Sequence, residues 1–445
     1  MALPLLDELI TLRNILKSLI TIFLLGLFAI PFFFLTLLAF IFNVAARYKT
    51  AKPSGRTILL TGGKMTKCLQ LARMFHANGD RVIVAETSLY KYCGTRFSNA
   101  VDLYVTIPKI TGTGEKYLTS LIDIAKKEQI DIFIPVASPK AALYDAKAKP
   151  KFPDETTIFH FDEYIVKRLD DKHQFIKMAE DFGLSVLESF HFTSKEKLLS
   201  HQFGNHKKYI LKKIDYDPIY RLDLRTLPHK GWRERVEGLP ISESDPWVLQ
   251  EFIEGKEVCT HTTTQNGEMN MYICSDSSPF QVNYKMLHHP KVKEWVTSFI
   301  KQLNATGQIS FDFIIKDDTV YPIECNPRTH SAITLFHNQP KAALAYYQDP
   351  ISFKTFEPNQ NAGHTYWFYH ELYRLFTSTN LGTFKMIFKR IWTGKEAVFQ
   401  WSDPWPFWFN NHVSIPYQIL KNLKKNLPWS HIDFNIGKLV VPGGD

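Results

Sequence analysis

The chain has 445 residues, of which 45% are hydrophobic, and this content supports a packed core and excludes a disordered chain. Its formal charge of +9 predicts acidic partners, among which nucleic acid, phosphate-bearing small molecules and an anionic membrane surface are the candidates. The five cysteines have no paired spacing, which argues against a disulfide framework or a zinc site and predicts a reducing compartment.

The first predicted element is an uncharged apolar stretch, Ser18–Ala46, between Lys17 and Arg47. As a helix it would be roughly 43 Å long, which exceeds the ~30 Å hydrocarbon core, so it could span a membrane with tilt. The excess of basic residues after it favours a cytoplasmic body. A cleaved signal peptide is disfavoured by the length of the apolar run, while a re-entrant hairpin about Pro31 stays open. We predict a membrane anchor and linker over residues 1–55.

Short strands then alternate with helices over residues 56–160, which predicts a parallel sheet with right-handed crossovers. The predicted strands are Thr57–Thr61, Arg81–Ala85, Leu103–Ile107 and Asp131–Val136, and the predicted helices are Thr66–Ala77 and Leu118–Glu128. The Gly62-Gly63-Lys64 turn matches neither common phosphate-binding pattern, so a tight turn is favoured over a phosphate site.

The next stretch carries lysines at the ends of two predicted elements. Asp162–Phe182 has helical spacing and contains Lys172, and the strand Tyr209–Lys213 ends in Lys212 and Lys213. A paired lysine at such a position is also typical of a solvated strand end. The charged, aromatic segment that follows, Ile214–Lys230, is predicted to be a long loop or a lid.

A predicted strand from Trp247 runs into Gln250-Glu251-Phe252-Ile253, and Glu257 opens another strand after a turn. A strand end that crosses between two lobes can bind adenine, because its backbone carbonyl and N–H groups can read the purine edge. A carboxylate a few residues further on can accept from ribose hydroxyls.

Two predicted strands, Ile309–Ile315 and Val320–Ile323, bring together three oxygen ligands. Asp312 lies inside the first strand, and Glu324 and Asn326 share one face at the end of the second. Mg²⁺ bound to substrate phosphates is the natural partner of such a set, and Arg328 could bind a phosphate beside it. A surface hairpin with incidental acids is the alternative. His330 and Ser331 follow directly and could contact a substrate carboxylate.

Residues 351–445 are predicted to form a helical, aromatic-rich extension, with helical spacing over Thr365–Phe376, Phe384–Trp392 and Pro416–Lys425. Its aromatic residues with nearby lysines suit either an interfacial membrane face or a subdomain that packs its aromatic residues onto the lobe formed by the preceding residues 161–350. Nucleic-acid binding is disfavoured because no known module is recognisable.

These pieces, in this order, resemble the ATP-grasp superfamily from roughly Thr57 to Tyr347. The resemblance implies an α/β fold with α+β lobes: an N-terminal Rossmann-like domain, then an ATP-grasp domain over residues 161–350 with its hinge near 250–257. It implies ATP and Mg²⁺ as cofactors. One departure is the segment at 214–230, which has no glycine where many members carry a glycine-rich lid, so that Arg221 or Arg225 would have to contact phosphate there.

The resemblance also implies roles for individual residues. Lys172 and Lys212 would contact the phosphates of ATP. The segment Gln250–Ile253 would hold adenine through the Glu251 carbonyl and the Ile253 N–H, and Glu257 would bind ribose. The Mg²⁺ ligands would be Asp312, Glu324 and Asn326, and the catalytic pair would be Lys212 with Arg328, which would meet the transferred phosphoryl group.

Two further stretches, Thr57–Lys67 and Pro135–Leu143, together with both terminal segments resemble the ATP-grasp C–N ligases of mycosporine biosynthesis. That implies glycine and 4-deoxygadusol as substrates, and a cytoplasmic body attached to a membrane. A homodimer is left open. The alternatives are a carboxylate–amine ligase that acts through an acyl phosphate, and a membrane-anchored nucleotide-binding regulator without turnover.

Overall fold

The computed structural model describes residues 2–43, 52–136, 138–215, 217, 220, 223–277, 283–347, 354–378 and 380–441, with side chains from residue 11 onward. The first element is a single helix, α1 (Ala2–Asn43), which continues through Pro31, so the re-entrant hairpin is not what the chain forms. Its segment Thr11–Asn43 is long and apolar enough to cross a membrane by length and composition alone.

The predicted parallel sheet is present and has five strands in the order β3-β2-β1-β4-β5. The strands are β1 (Thr57–Thr61), β2 (Arg81–Thr87), β3 (Leu103–Ile107), β4 (Ile132–Ile134) and β5 (Thr157–Ile158). The helices beside them are α2 (Thr66–Ala77), α3 (Glu115–Glu128) and α4 (Pro139–Ala148). Strand β4 is shorter than predicted because the Thr61 hydroxyl, rather than a neighbouring strand, accepts from the Val136 N–H at 3.2 Å.

The single helix predicted over residues 162–182 is wrong, because the chain forms two helices, α5 (Glu163–Asp170) and α6 (Lys172–Asp181). Asp171 between them has an extended backbone, and its side chain accepts from the N–H groups of His173 and Gln174, both at 2.9 Å. An aspartate at this position caps a new helix more favourably than it continues an old one. The break makes Lys172 the first residue of α6.

Two four-stranded antiparallel sheets form the middle of the chain, in the orders β6-β9-β7-β8 and β11-β10-β13-β14. The first comprises β6 (Ser189–Phe192), β7 (Tyr209–Lys213), β8 (Thr226–Leu227) and β9 (Trp247–Glu251), with helices α7 (Lys195–Leu199) and α8 (Trp232–Glu237). The second comprises β10 (Lys256–Gln265), β11 (Glu268–Asp276), β13 (Gly307–Lys316) and β14 (Thr319–Asn326). Helix α9 (Pro290–Leu303) packs on the second sheet through the Trp295 and Phe299 rings, which contact Phe311 at 5.4 and 5.1 Å. The two sheets have separate hydrophobic cores, of which the second includes α9.

The C-terminal segment was predicted to be helical. It contains helices but also short strands. Its helices are α10 (Phe368–Thr377), α11 (Leu381–Thr393), α12 (Trp405–Phe409) and α13 (Ile415–Lys424). Its strands are β15 (His364–Tyr366) and β16 (Lys395–Glu396), which extend a sheet begun by β12 (Asn283–Lys285), and the hairpin β17 (His431–Asp433) and β18 (Lys438–Val440). The pairing of β12 with β15 joins residues about 80 positions apart, which local spacing cannot reveal.

Aromatic residues of this segment pack onto α2 and the segment after β2, and Trp367 also contacts Tyr284 of β12, whereas one of the two interpretations placed them on the ATP-grasp lobe. The Phe97 and Phe409 rings stack at 3.5 Å, and the Trp367 indole donates to the Thr66 hydroxyl at 2.9 Å. The buried Arg73 guanidinium pairs with Asp403 at 2.9 Å. Other aromatic side chains of the segment, among them Tyr373 and Trp392, are exposed.

Candidate functional site

The three predicted metal ligands lie on adjacent strands of the second antiparallel sheet. Asp312 of β13 lies directly opposite Glu324 of β14, and Asn326 lies opposite Ser310. Directly opposite residues of an antiparallel pair project to the same face, so all three side chains share one face. A bulge follows Asp312 and shifts the register there. Sequence analysis thus predicted these side chains together, and the strand pairing brings them together.

The carboxylates in this group are crowded. Burial raises the pKa of the Asp312 carboxyl, and the nearby Glu324 and Glu257 raise it further, while Lys212 and Arg328 oppose the shift. The protein's own cations therefore do not fully compensate the acids. A divalent cation on these hard oxygen donors would do so, and the donor set fits Mg²⁺ better than a softer metal.

Lys212 reaches this group from the first antiparallel sheet. Its Nζ donates to Gln250 Oε1 at 2.7 Å, and Gln250 Nε2 donates to the Ile323 carbonyl at 3.1 Å, so the Gln250 side chain links the two sheets. Burial lowers the pKa of Lys212, and Glu324 opposes that shift. The next residue, Lys213, points to the other face of β7 and pairs with Asp245 at 3.0 Å. Only Lys212 of the pair is thus a site residue.

Two more predicted cations surround the acids. Lys172 donates from Nζ to the Ile214 carbonyl at 3.3 Å, and its charge adds to the lowering of the Lys212 pKa. Arg328 pairs with Asp170 at 2.8 Å and also donates to the Asn326 side-chain oxygen. Arg328, which is predicted to bind the phosphoryl group, and Asn326, which is predicted to bind the metal, are therefore hydrogen-bonded to each other.

The predicted hinge lies where β9 ends. The N–H of Phe252 donates to the Lys208 carbonyl at 2.7 Å, and the Glu251 carboxylate lies 3.3 Å from Lys207 Nζ. Because the Glu251 side chain is directed to Lys207, any adenine contact there would use backbone groups. Ile253 is buried just beyond, while the exposed Glu257 accepts from the Ser277 hydroxyl at 2.7 Å.

The remaining predicted residues differ in their placement. His330 is buried, and its Nδ1 accepts from the Ala332 N–H at 3.2 Å, which caps a short 3-10 helix that begins at Ser331. Burial lowers the pKa of His330 to about 3, so it is held neutral. Arg221 lies outside the described residues. Arg225 forks onto the Asp223 carboxylate at 2.8 and 2.6 Å, so it is engaged within its own loop.

Lys67 is a buried cation of the site that sequence reasoning missed. It comes from α2, donates from Nζ to the Thr329 carbonyl at 2.6 Å, and has its pKa lowered to about 7 by burial and then by Arg328. A helical position between Thr66 and Cys68 gives no local signal of such a role. The signal lies in the tertiary contact between α2 and the loop after β14.

No family model and no curated protein matches this chain. Solved structures do resemble it. N5-carboxyaminoimidazole synthetase from Staphylococcus aureus aligns with a TM-score of 0.51 at 16% identity, over 67% of this chain and 79% of that one. The same enzyme complexed with ADP aligns at 0.50 and 15%, over 68% and 80%. The biotin carboxylase domain of Hydrogenobacter thermophilus 2-oxoglutarate carboxylase, in complex with MgADP, ADP and bicarbonate, aligns at 0.52 and 12%, over 67% and 71%.

These neighbours are ATP-grasp ligases. At sequence identities this low, the similarity shows the fold alone. The expectation of an ATP-grasp architecture is therefore confirmed at the level of fold: this chain has the fold of the ATP-grasp ligases.

Proposed function

We propose that the protein is an ATP-dependent C–N ligase, and specifically a mycosporine-glycine synthase that joins glycine to 4-deoxygadusol. The observation that carries the ligase assignment is the meeting of Lys212 with Asp312 and Glu324 across two sheets. The cation on one sheet faces paired carboxylates on the other. This arrangement suits a nucleoside triphosphate whose phosphates contact the cation and whose Mg²⁺ contacts the carboxylates. The narrower assignment is supported by the resemblance of Thr57–Lys67, Pro135–Leu143 and the terminal segments.

We assign the roles as follows. Asp312, Glu324 and Asn326 hold Mg²⁺, which when bound neutralises charge on the phosphates. Lys212 and Lys172 bind the phosphates, and the Gln250–Ile253 backbone with Glu257 holds adenine and ribose. Arg328 meets the transferred phosphoryl group after it releases Asn326.

The reaction is the phosphorylation and displacement of an enol oxygen. The enolate oxygen of 4-deoxygadusol attacks the γ-phosphorus, the bond to the bridging oxygen breaks, and ADP leaves with that electron pair. The glycine amine adds to the enol carbon, loses a proton, and expels phosphate with the C–O electron pair. The enolate and the glycine carboxylate are both anionic groups, and the buried Lys67 beside Arg328 provides charge for such an anion. His330 and Ser331 remain candidates for the glycine carboxylate, as does Arg221 for phosphate.

For the whole chain, we propose an anchor and linker over residues 1–55, a Rossmann-like domain over 56–160, an ATP-grasp domain over 161–350 and an extension over 351–445. The N-terminal helix attaches a cytoplasmic body to a membrane. The parallel strand order of the first sheet and the apolar composition of α1 support these assignments.

The test is an assay of ADP and phosphate release with both substrates and with each one omitted. We expect release that requires both 4-deoxygadusol and glycine. Release that is equal without glycine would overturn the ligase assignment. A panel of carboxylic acids and amines separates the alternative, since a carboxylate–amine ligase would turn over with another acid and not with 4-deoxygadusol.

A further inference from the structure

Helix α1 packs along the protein body for most of its length instead of projecting from it. From Asn14 to Phe40 is 26 residues, or ~39 Å of helix. Near its N-terminal end, Asn14 Nδ2 donates to the Leu427 carbonyl at 3.4 Å, and the Ser18 hydroxyl accepts from the Trp429 indole at 3.0 Å. In its middle, the Leu25 carbonyl lies 3.1 Å from His412 Nδ1, and the Ala29 carbonyl accepts from the Trp408 indole at 3.0 Å. Further along, the Phe40 ring lies 5.7 Å from the Trp405 ring. All of these partners belong to the C-terminal segment.

The two faces of α1 differ in composition. The packed face combines the buried polar or small residues Ser18, Thr36 and Ala39 with the buried Leu25 and with Phe32, which packs against Phe407. The opposite face, at helical spacing, carries large apolar side chains that are 47–72% exposed; they are Leu12, Leu16, Leu19, Ile20, Phe23, Leu24, Leu27, Ile30, Phe34, Leu38, Ile41 and Phe42. No charged residue interrupts this apolar face between Ser18 and Asn43. A stripe of this length is far larger than the scattered apolar residues of an ordinary surface.

Exposed aromatic residues also occur on the helices α10 and α11, of which α10 packs against α1. Tyr369 packs against Phe28 and Phe32 of α1 at 6.2 and 6.3 Å. Tyr373 and Phe376 follow it at i+4 and i+7, on the same side of α10, and are 70% and 79% exposed. On α11, Phe388 and Trp392 are exposed, together with Lys385 and Lys389.

A helix docked in this way cannot cross a bilayer alone. If α1 spanned the hydrocarbon core, the C-terminal segment beside it would enter the core as well. The part of that segment beside Ala29–Phe40 begins with the irregular stretch Trp401–Pro404, in which Trp401 and Ser402 are exposed and Asp403 is tied to Arg73 of α2. Lipid-exposed irregular backbone does not occur within the hydrocarbon.

We propose that α1 lies in the plane of a membrane, and that its apolar face, with the exposed side of α10 and α11, binds the anionic surface of one leaflet. Aromatic residues beside lysines are typical of membrane interfaces, where the apolar parts enter the leaflet and the lysines stay at the headgroups. The same lysines and the net charge of +9 disfavour a second copy of this chain as the occupant.

The first experiment is flotation of the full-length protein, released from detergent, with vesicles of phosphatidylcholine alone or with added phosphatidylserine. We expect the protein to bind the anionic vesicles more strongly. Lys385→Ala and Lys389→Ala should each lower the affinity for the anionic vesicles about fivefold and leave the affinity for phosphatidylcholine vesicles unchanged. The double variant Phe23→Glu/Ile30→Glu should lose binding to both kinds of vesicle by at least tenfold. Tyr164→Glu, which changes an equally exposed aromatic residue of α5, is the matched control and should bind normally.

The second experiment distinguishes an in-plane helix from a spanning one. The five native cysteines are buried, so single cysteines introduced by Arg13→Cys and Lys52→Cys can be labelled with a membrane-impermeant maleimide. We expect both positions to be labelled from the same side of the membrane in sealed vesicles. Labelling from opposite sides would overturn the proposal.

Two further outcomes are decisive. If Phe23→Glu/Ile30→Glu leaves vesicle binding unchanged while it dissociates a dimer in solution, the face binds a second copy and the proposal is wrong. Secondary structure by circular dichroism and ADP release in detergent check that each variant is folded. Membrane binding with no ligase activity would contradict the proposed function alone, so the two proposals fail separately.

Discussion

At the scale of single residues, the candidate site depends on which face of a strand each side chain takes. Lys212 and Lys213 are adjacent in β7, yet one faces the acids of the other sheet and its neighbour pairs with Asp245. The same alternation places Glu324 and Asn326 on the site face of β14, while Cys325 between them is buried. If these residues have the proposed roles, single substitutions on this face should change function and leave the fold unchanged.

Lys212→Met should lower turnover by about a hundredfold or more, because the variant keeps the buried stem and removes the charge that faces the phosphates. Lys213→Met is the matched control, since it removes a lysine of the same strand that faces away from the acids. ADP-release kinetics measure both. Equal losses in the two variants would contradict the assignment of Lys212.

Glu324→Gln should abolish turnover while the melting temperature stays the same or rises. The substitution removes a proposed metal ligand and also removes a charge that destabilises ionised Asp312. Thermal unfolding and ADP release are measured on the same sample. Glu268→Gln, an exposed acid of the same sheet, controls for a change of charge alone, and normal turnover in Glu324→Gln would remove the metal assignment.

At the scale of elements, the C-terminal segment and the parallel sheet are joined by one buried ion pair. Arg73 of α2 meets Asp403, which also accepts from the Ser98 hydroxyl at 2.6 Å and the Asn99 N–H at 2.8 Å. The guanidinium donates in addition to the Val398 carbonyl at 2.8 Å. The segment is thus fixed to α2 by contacts that bridge more than 300 residues of sequence.

Arg73→Met should destabilise the protein by about 3–5 kcal/mol, because it leaves a buried carboxylate without its cation. Arg81→Met removes an exposed pair with Glu128 and should cost ~1 kcal/mol or less. Urea unfolding of the two variants tests this difference. Similar shifts of the two midpoints would show that the Arg73 pair does not hold the segment in place.

At the scale of the whole molecule, the free energy of unfolding should depend on pH through Asp145, a buried acid of α4. Burial raises the pKa of Asp145 from 3.8 to about 7, although the Tyr117 hydroxyl donates to it at 2.7 Å. Because the folded protein holds this proton more tightly than the unfolded chain, the stabilisation is complete below about pH 4 and is lost as pH rises towards 7. Between these pH values the free energy of unfolding should fall by something on the order of 4 kcal/mol.

Asp145→Asn should remove that part of the pH dependence, because asparagine can accept from Tyr117 and has no proton to lose. Melting temperatures from pH 4 to pH 8 compare this variant with the parent chain. Asp154→Asn, at an exposed position of the same region, is the control and should follow the parent curve. A parent curve with the same slope as the Asp145→Asn curve would contradict the prediction.

Local patterns predicted many elements closely. The bounds of β1, β3, β7 and α2 are those read from strand and helix spacing. Helical spacing did not reveal the break at Asp171, because the apolar spacing on either side continues smoothly, although the family resemblance places Lys172 at the start of a helix and aspartate is a common N-cap residue. The strands of the C-terminal segment were missed for a different reason, since each is two or three residues long and is stabilised only by a distant partner.

The sequence by itself determined the order of the motifs that resemble ATP-grasp ligases, the alternation that places Glu324 and Asn326 on one face of their strand, and the apolar character of the N-terminal helix. These features depend on residues a few positions apart, where backbone geometry links sequence to side-chain direction. Only the tertiary structure decided that Lys67 joins the site, that Asn326 bonds to Arg328, and that α1 packs along the body instead of projecting from it. Those outcomes depend on contacts between residues far apart in the chain, whose free energy comes from burial and charge compensation that no local pattern encodes.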